Sequence, residues 1–311
     1  MLILTRKLSA RSPYRILSVW LKASRLQSQS YIFIPILLGQ ACAYVLTEDL
    51  DWTIFLLLHL FGMFNQLYIV YANDYADHIT DGLNTTHNLF SGGSRVLVEG
   101  LLKPHQLRMA AILMALMCLL IGIILWVGYE RTYAMPLIFF GLALLWAYSY
   151  DPLRLSYRGG GELLQMIGVG LVLPLFAFYA QTGTWEGVPI GLILSLLPIQ
   201  LACAISTSLP DAPSDARSGK RTVAVILGLK GAKITLIALS LLSVGLLSIL
   251  HGMDFTLVTI LGILALPVLL IFLHLRHLDA QPDSKGLFLF NMYTVMAVLL
   301  LQVGIIIALF I

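Results

Sequence analysis

The acidic residues that could do chemistry in this chain occur in two short groups. In the first group, Asn73, Asp77 and Asp81 lie four residues apart, and Asp74 adds a fourth oxygen-bearing side chain. Positions three or four residues apart share one face of an α-helix, so these side chains would reach one volume of space. Crowded carboxylates repel each other unless a cation lies between them, and Mg²⁺ prefers carboxylate and phosphate oxygens. The first group therefore predicts a magnesium site, in preference to a set of solvated acids at a helix end.

The second acidic group is shorter and is followed by basic residues. Asp211 and Asp215 lie four residues apart, and Lys220 and Arg221 follow them closely. Lysine and arginine donate charge-assisted hydrogen bonds to phosphate oxygens. The combination predicts a phosphate-binding site more readily than the alternative, an ordinary polar loop.

The segments around the two acidic groups resemble each other. In residues 77–101 and again in residues 211–229, paired acids precede a Ser-Gly step, a basic residue and an apolar run that ends in Gly-Leu. This weak internal repeat predicts that the two segments form opposite halves of one site. Arg95 follows two glycines and a serine, a backbone that suits close approach of a phosphate. Arg25 could assist there, or it could anchor a helix at the lipid headgroups.

The composition indicates a membrane protein. Of the 311 residues, 59% are hydrophobic and only 11% are charged, whereas a soluble domain carries about 25% charged residues. The mean hydropathy is +0.90. The three cysteines lie in apolar runs without a CxxC pair, which favours packing over a metal or disulfide role. Neither a cleavable signal peptide nor a nucleic acid partner is predicted.

Nine apolar stretches are candidates to cross a bilayer, which requires about 20 residues per helix, and the first of them is short and contains Pro35. We therefore predict one all-α membrane domain over residues 1–311. It would have nine transmembrane helices around a central cavity, a polar cap on the cytoplasmic side and a cytoplasmic arm over residues 1–30. The predicted spans are about 31–47, 53–72, 109–128, 133–150, 162–182, 188–207, 233–250, 256–275 and 287–311.

The distribution of basic residues predicts the orientation of the chain. With nine spans, all of the 19 Lys and Arg residues except Arg131 fall on one side of the membrane. Basic residues concentrate in cytoplasmic loops, so the N-terminus and both acidic groups are predicted to face the cytoplasm. A cation transporter is disfavoured, because its acids would lie near the middle of the membrane.

These motifs resemble those of the UbiA superfamily of intramembrane prenyltransferases. The resemblance covers the whole chain and rests on N-D-x-x-D-x-x-x-D after the second span and on D-x-x-x-D with G-K-R-T after the sixth. Residues 148–162 are similar to Y-x-x-x-P-x-x-L-x-Y-R-G-x-G-E, a pattern of enzymes that prenylate 1,4-dihydroxy-2-naphthoate. The R-T-x-x-R-P run usual in the 4-hydroxybenzoate and haem O branches is missing. Thr207 stands where Asn or Asp is common in the family, and Arg154 stands where Pro is common.

The resemblance implies a multi-pass enzyme of quinone synthesis in a bacterial inner membrane. It would transfer a polyprenyl group from its diphosphate to an aromatic acceptor. Because the chain is most similar to the 1,4-dihydroxy-2-naphthoate prenyltransferases of menaquinone synthesis, the resemblance implies 1,4-dihydroxy-2-naphthoate as this acceptor. Mg²⁺ would be held by a set of oxygen ligands that comprises Asn73, Asp74, Asp77, Asp81, Asp211 and Asp215. The substrates would contact Asn73, Arg25, Arg95, Lys220, Arg221, Tyr148, Tyr157 and Arg158.

Three alternatives remain open from the sequence. The acceptor could be of the 4-hydroxybenzoate or homogentisate type. The same acids could serve an intramembrane terpene cyclase or phosphatase, which uses no aromatic acceptor. Arg158, the candidate for pairing with an acceptor carboxylate through two hydrogen bonds, could instead be one more cytoplasmic anchor.

Overall fold

Every regular element that the structure describes is a helix. The computed structural model describes residues 13–86, 91–250, 252 and 255–311. The all-α prediction is confirmed for these ranges. Residues 1–12 of the predicted cytoplasmic arm lie outside them.

The α-helices are numbered in chain order, and several of them are short. They are α1 (Pro13–Ser24), α2 (Ser30–Thr47), α3 (Trp52–Gly82), α4 (Pro104–Ile123), α5 (Ala134–Ser149), α6 (Leu155–Arg158), α7 (Gly161–Met166), α8 (Leu173–Thr182), α9 (Ile190–Ser208), α10 (Ala212–Arg217), α11 (Val223–Ile226), α12 (Gly228–Leu250), α13 (Leu257–Leu273) and α14 (Lys285–Ala308). A π-helical segment, Ile124–Gly128, extends α4, and a second one, Ile167–Val172, joins α7 to α8.

The chain is a multi-pass integral membrane protein. In the described ranges, eight helical stretches are long and apolar enough to cross a membrane, and they coincide with eight of the predicted spans. The remaining predicted span corresponds to α5, which has only 16 residues. Its rise of about 24 Å is shorter than a hydrocarbon core of about 30 Å. The count of nine spans therefore stays a prediction.

Helix α3 positions the first acidic group. Its 31 residues rise about 46 Å, which exceeds the thickness of the hydrocarbon core by several turns. At its start, Asp51 accepts hydrogen bonds from the backbone N–H groups of Thr53 and Ile54 at 2.8 and 3.0 Å. This cap fixes where the helix begins, so the surplus length, which carries Asn73 to Asp81, emerges at the other end.

Two apolar clusters hold the long helices around a central space. In the first cluster, Phe61 of α3 and Phe176 of α8 pack edge to face, with ring centroids 5.0 Å apart. In the second, Leu38 of α2 packs with Ile199 of α9 and Leu301 of α14. Helix α2 contributes to both clusters and therefore joins the two halves of the bundle.

The polar loops that follow α3, α5 and α9 meet at one end of the bundle. The Asn84 side-chain amide donates a hydrogen bond to Asp211 Oδ1 at 2.6 Å. The Arg221 backbone N–H donates to the Tyr157 carbonyl at 3.1 Å. The sequence predicted these three loops on one side of the membrane, and the structure places them in contact.

Arg131, the exception in the distribution of basic residues, has a structural role. Its guanidinium donates hydrogen bonds to the carbonyls of Ala180, Tyr129 and Gln181 at 2.7, 2.9 and 3.2 Å. Two of these carbonyls belong to the last turn of α8, where carbonyls have no partner within the helix. Arg131 therefore caps α8.

The nine-span topology predicts opposite accessibility for two exposed positions. A cysteine at His105 is expected to react with a membrane-impermeant maleimide only from the cytoplasmic side, and a cysteine at Glu186 only from the outside. Both native residues are exposed, and α4, α5 and α7–α8 separate them. The three native cysteines are buried and give little background labelling. Labelling of both positions from the same side would contradict a membrane-spanning α5.

Candidate active site

Asp77 lies at the centre of the candidate active site. Its side chain is only 6% exposed. Asp77 Oδ2 accepts hydrogen bonds from Lys220 Nζ at 3.0 Å and from Asn73 Nδ2 at 3.3 Å, and Oδ1 accepts one from the Tyr157 hydroxyl at 3.2 Å. Three segments that are distant in sequence thus meet on one carboxylate.

Lys220 bridges the two acidic groups. Its Nζ lies 3.0 Å from Asp77 Oδ2 and 3.8 Å from Asp215 Oδ1. Burial lowers the pKa of the Lys220 ammonium, but the charges of Asp77 and Asp215 outweigh burial and raise the pKa overall. Lys220 is therefore a fixed positive charge between two carboxylates.

Burial also affects the second acidic group. It raises the pKa of Asp215 to about 7, against the opposing effect of Lys220, and the charges of Asp211 and Asp77 contribute to the rise. Burial likewise raises the pKa of Asp211, although hydrogen bonds from the Asn84 amide and the Gly92 backbone N–H, at 2.6 and 3.1 Å, oppose it. Both carboxylates are held where a cation would stabilise their charged form.

Asp74 is held by the loop that follows α3. Its Oδ2 accepts hydrogen bonds from the Ser94 hydroxyl and from the Ser94 backbone N–H, the latter at 3.0 Å. Its Oδ1 lies 3.8 Å from Arg25 Nη1 and has no hydrogen-bond partner within the described residues. The backbone at Gly93 passes directly over Asp81 and Asp74, with φ at +66°.

The third polar loop contributes two tyrosines. The Tyr157 hydroxyl lies 2.5 Å from Thr80 Oγ1, and its ring has the Arg154 guanidinium 3.6 Å from its centroid and Lys220 Nζ 4.9 Å from it. These are cation–π distances. Arg154, which departs from the family pattern, thus covers one ring of the site. Tyr148 lines the cavity described next.

A cavity of about 370 Å³ begins at these residues and continues into the apolar interior. Its polar end is lined by Asn73, Asp77, Asp81, Asp211, Asp215 and Lys220, and Arg25 also faces it. Its apolar part is lined by residues such as Leu144, Val172, Phe61 and Phe176. The shape and polarity suit a molecule with an anionic head and a hydrocarbon tail.

Three of the arginines predicted as substrate ligands lie elsewhere. Arg95 donates hydrogen bonds from Nη1 to the carbonyls of Asp81 and Asn84 at 3.0 and 3.4 Å, so it caps the end of α3. Arg158 and Arg221 are exposed, and none of the three lines the cavity. Their positions give no support to the roles predicted from the sequence.

Two residues that the sequence did not single out connect the site. Asn84 joins the loop after α3 to Asp211, and Ser94 binds Asp74. Asn84 lies three residues after Asp81 and would extend the first motif by one helical step, which is the one signal that could have identified it. The residues around Ser94 gave no signal that it binds Asp74. Ser94 reaches Asp74 because Gly92 and Gly93, both with positive φ, turn the chain back to α3.

The carboxylate oxygens of the site suit a divalent cation, although they do not converge on one point as metal ligands would. Among the residues that the structure describes, no three His, Cys, Asp or Glu side chains converge closely enough to hold a metal ion. Four aspartates, Asp77, Asp81, Asp211 and Asp215, nevertheless line the cavity together with Arg25 and Lys220. Asp74 does not line the cavity, but its Oδ1 is buried beside Arg25 without a hydrogen bond to any described residue. The surplus of carboxylate charge is what Mg²⁺ would offset.

Comparison with known proteins identifies the family. The model of the UbiA prenyltransferase family matches residues 32–295. A 1,4-dihydroxy-2-naphthoate octaprenyltransferase of Bacillus subtilis is 31% identical over 218 residues, which are 67% of this chain. The matched region spans 65% of the Bacillus protein.

Solved structures share the fold. The apo structure of a UbiA homolog from Aeropyrum pernix superposes with a TM-score of 0.69 at 17% identity, over 90% of this chain and 98% of that one. A UbiA homolog from Archaeoglobus fulgidus bound to DMAPP and Mg²⁺ gives a TM-score of 0.68 at 18% identity, over 92% of this chain and 98% of that one. The family match extends over most of the chain and includes both acidic groups, and the chain belongs to the UbiA prenyltransferase family.

Proposed function

We propose that the protein is a Mg²⁺-dependent prenyltransferase that moves a polyprenyl group from its diphosphate to an aromatic acceptor. The observation that carries this proposal is a cavity whose charged end is lined by residues of both acidic groups and by Lys220 and whose walls beyond them are apolar. A diphosphate fits the charged end and a prenyl chain fits the apolar walls. Family membership and the prenyltransferase relatives support the same reaction.

The charged end would bind and activate the diphosphate. Asp74, Asp77, Asp81, Asp211 and Asp215 would hold Mg²⁺, with Asn73 as a neutral oxygen ligand. Bound there, Mg²⁺ supplies positive charge that stabilises the departing diphosphate. Lys220 and Arg25 add fixed positive charge from the protein, and Lys220 already lies between the two acidic groups.

The remaining walls would shield the allylic cation that forms when the diphosphate departs. Tyr148 lines the cavity beside the polar end, and the face of an aromatic ring attracts positive charge. One face of Tyr157 is already engaged by Arg154, so Tyr148 is the better candidate for this contact. The apolar lining excludes water, which would otherwise capture the cation.

The acceptor completes the reaction by attacking the allylic carbon. An electron-rich ring carbon forms the new C–C bond, and the ring regains aromaticity when it loses a proton or, for a hydroxynaphthoate, its carboxylate as CO₂. We propose 1,4-dihydroxy-2-naphthoate as the acceptor, in the inner membrane of a bacterial cell. The pattern over residues 148–162 and the named function of the Bacillus relative support this choice.

Membranes that contain the protein are expected to prenylate 1,4-dihydroxy-2-naphthoate in preference to 4-hydroxybenzoate or homogentisate. The assay supplies each acceptor with farnesyl diphosphate and Mg²⁺, and the products are identified by mass. A preference for 4-hydroxybenzoate would contradict the choice of acceptor and leave the prenyltransferase proposal intact. Release of diphosphate with a cyclised or hydrolysed prenyl product, whatever acceptor is supplied, would contradict the prenyltransferase proposal itself.

A further inference from the structure

A buried amide lines the cavity well away from the acidic groups. Asn65 of α3 is 8% exposed, faces the cavity and makes no hydrogen bond within the described part of the chain. Its neighbour Gln66 differs in this respect, because it donates a hydrogen bond to Ser28 Oγ at 2.5 Å. The Asn65 amide opens onto the cavity, so it is free to donate and accept hydrogen bonds with a molecule bound there.

The position of Asn65 on α3 aligns it with the active site. Asn65, Ile69, Asn73 and Asp77 are each four residues apart, and all four line the cavity. Asn65 therefore lies on the cavity-facing side of α3, about 12 Å deeper along the helix axis than Asn73 and about 18 Å deeper than Asp77. This depth is beyond the reach of the diphosphate.

Two more polar side chains lie at a similar depth on other helices. Gln165 Nε2 donates a hydrogen bond to the Tyr31 hydroxyl at 3.4 Å, and both residues line the cavity. Tyr31 lies one turn from Ser28, the partner of Gln66, which places it at the level of Asn65 across the contact between α2 and α3. We call Tyr31, Asn65 and Gln165 the second polar layer.

The prenyl chain cannot form hydrogen bonds with the second polar layer. A hydrocarbon tail offers no hydrogen-bonding atom, and α5 provides it with a wall of Leu137, Gly141, Leu144 and Leu145 that has no polar side chain. The diphosphate is accounted for at the charged end. Of the reacting molecules, the aromatic acceptor alone has polar atoms left to bind.

From this geometry we infer that the second polar layer is the binding subsite for the ring oxygens of the aromatic acceptor. This inference rests on the proposed function. The acceptor carbon must come within about 3.5 Å of the allylic carbon, so the ring would lie between the charged end and the second polar layer. Asn65 and Gln165 can each donate and accept hydrogen bonds, which suits neutral hydroxyl or carbonyl oxygens.

The test is steady-state kinetics of Asn65→Leu and Gln165→Leu in membranes, with 1,4-dihydroxy-2-naphthoate and farnesyl diphosphate as substrates. Each variant is expected to raise the KM for the acceptor at least about tenfold, because a hydrogen bond to bound substrate is lost. The KM for farnesyl diphosphate and the Mg²⁺ dependence should remain at wild-type values.

Asn291→Leu is the matched control. Asn291 is fully buried and its amide also lacks a partner among the described residues, but it does not line the cavity. The same substitution there should leave the KM for the acceptor unchanged. Thermal unfolding of all three variants reports whether they are folded.

Two outcomes would overturn the inference while the proposed function stands. In the first, the wild type prenylates the acceptor and both variants of the layer retain its KM. In the second, the KM for farnesyl diphosphate rises as much as that for the acceptor, which would assign the layer to the prenyl chain. A wild type that prenylates no aromatic acceptor would instead contradict the proposed function.

Discussion

Asp77→Asn is expected to lower the rate of prenyl transfer at least about a hundredfold. Asp77 accepts hydrogen bonds from Lys220, Asn73 and Tyr157 and faces the cavity. Asparagine keeps the shape but removes the charge that would hold Mg²⁺, and it leaves the buried Lys220 ammonium without its nearest counter-ion. Removal of one partner from a buried ion pair costs about 3 kcal/mol, and a loss of that size from binding the transition state corresponds to about a hundredfold in rate.

Asp279→Asn is the matched control for this substitution. Asp279 also pairs with a lysine, since Lys230 Nζ lies 3.0 Å from its Oδ1, but its side chain is 84% exposed. An exposed ion pair contributes little, so this variant should retain wild-type activity. Excess chelator should abolish the activity of both the control and the wild type, and added Mg²⁺ should restore it. Wild-type turnover by Asp77→Asn would remove Asp77 from the proposed metal ligands.

The positions of the long apolar helices could be predicted from the sequence because apolar length determines them, although α3 continues to Gly82, beyond the predicted span 53–72. The predicted spans 162–182 and 233–250 correspond to stretches that begin at Gly161 and Gly228. The difference at α12 arises because Lys233 is fully buried, where its ammonium donates hydrogen bonds to the carbonyls of His277, Leu278 and Ala280. A lysine inside a helix looks like a boundary when its partners are unknown.

The sequence could also predict that the two acidic groups meet. Helical spacing places the acids of each group on one face, and the even number of spans between the groups places both at the same side of the membrane. The direction of individual side chains could not be predicted. Arg95 was predicted to face phosphate from its two preceding glycines, yet its φ of +62° turns it back to the carbonyls at the end of α3. Backbone conformations of this kind depend on contacts between loops, and these contacts cannot be predicted from a single sequence.

Gly93→Ala is expected to lower activity by about thirtyfold, because the site has no room for a side chain there. A Cβ on Gly93 would overlap Asp81 Oδ2 and would lie 3.0 Å from Asp74 Oδ1. Both carboxylates belong to the proposed metal site, and both would have to move. Overpacking of this kind costs about 2 kcal/mol, which is about thirtyfold if all of it is lost from binding the transition state.

Gly100→Ala separates this steric effect from backbone strain. Gly93 and Gly100 have the same φ of +66°, but a Cβ on Gly100 meets nothing within 4 Å. Alanine at a positive φ costs about 1 kcal/mol in stability at either position, so both variants should unfold at lowered temperatures, and Gly93→Ala should unfold at the lower one because its Cβ also overlaps a carboxylate. Only Gly93→Ala should lose activity in the folded state and need more Mg²⁺ for half-maximal rate. Equal losses of activity in the two variants would assign the effect to strain in the loop, and the close contact between Gly93 and the carboxylates would then have no role in forming the site.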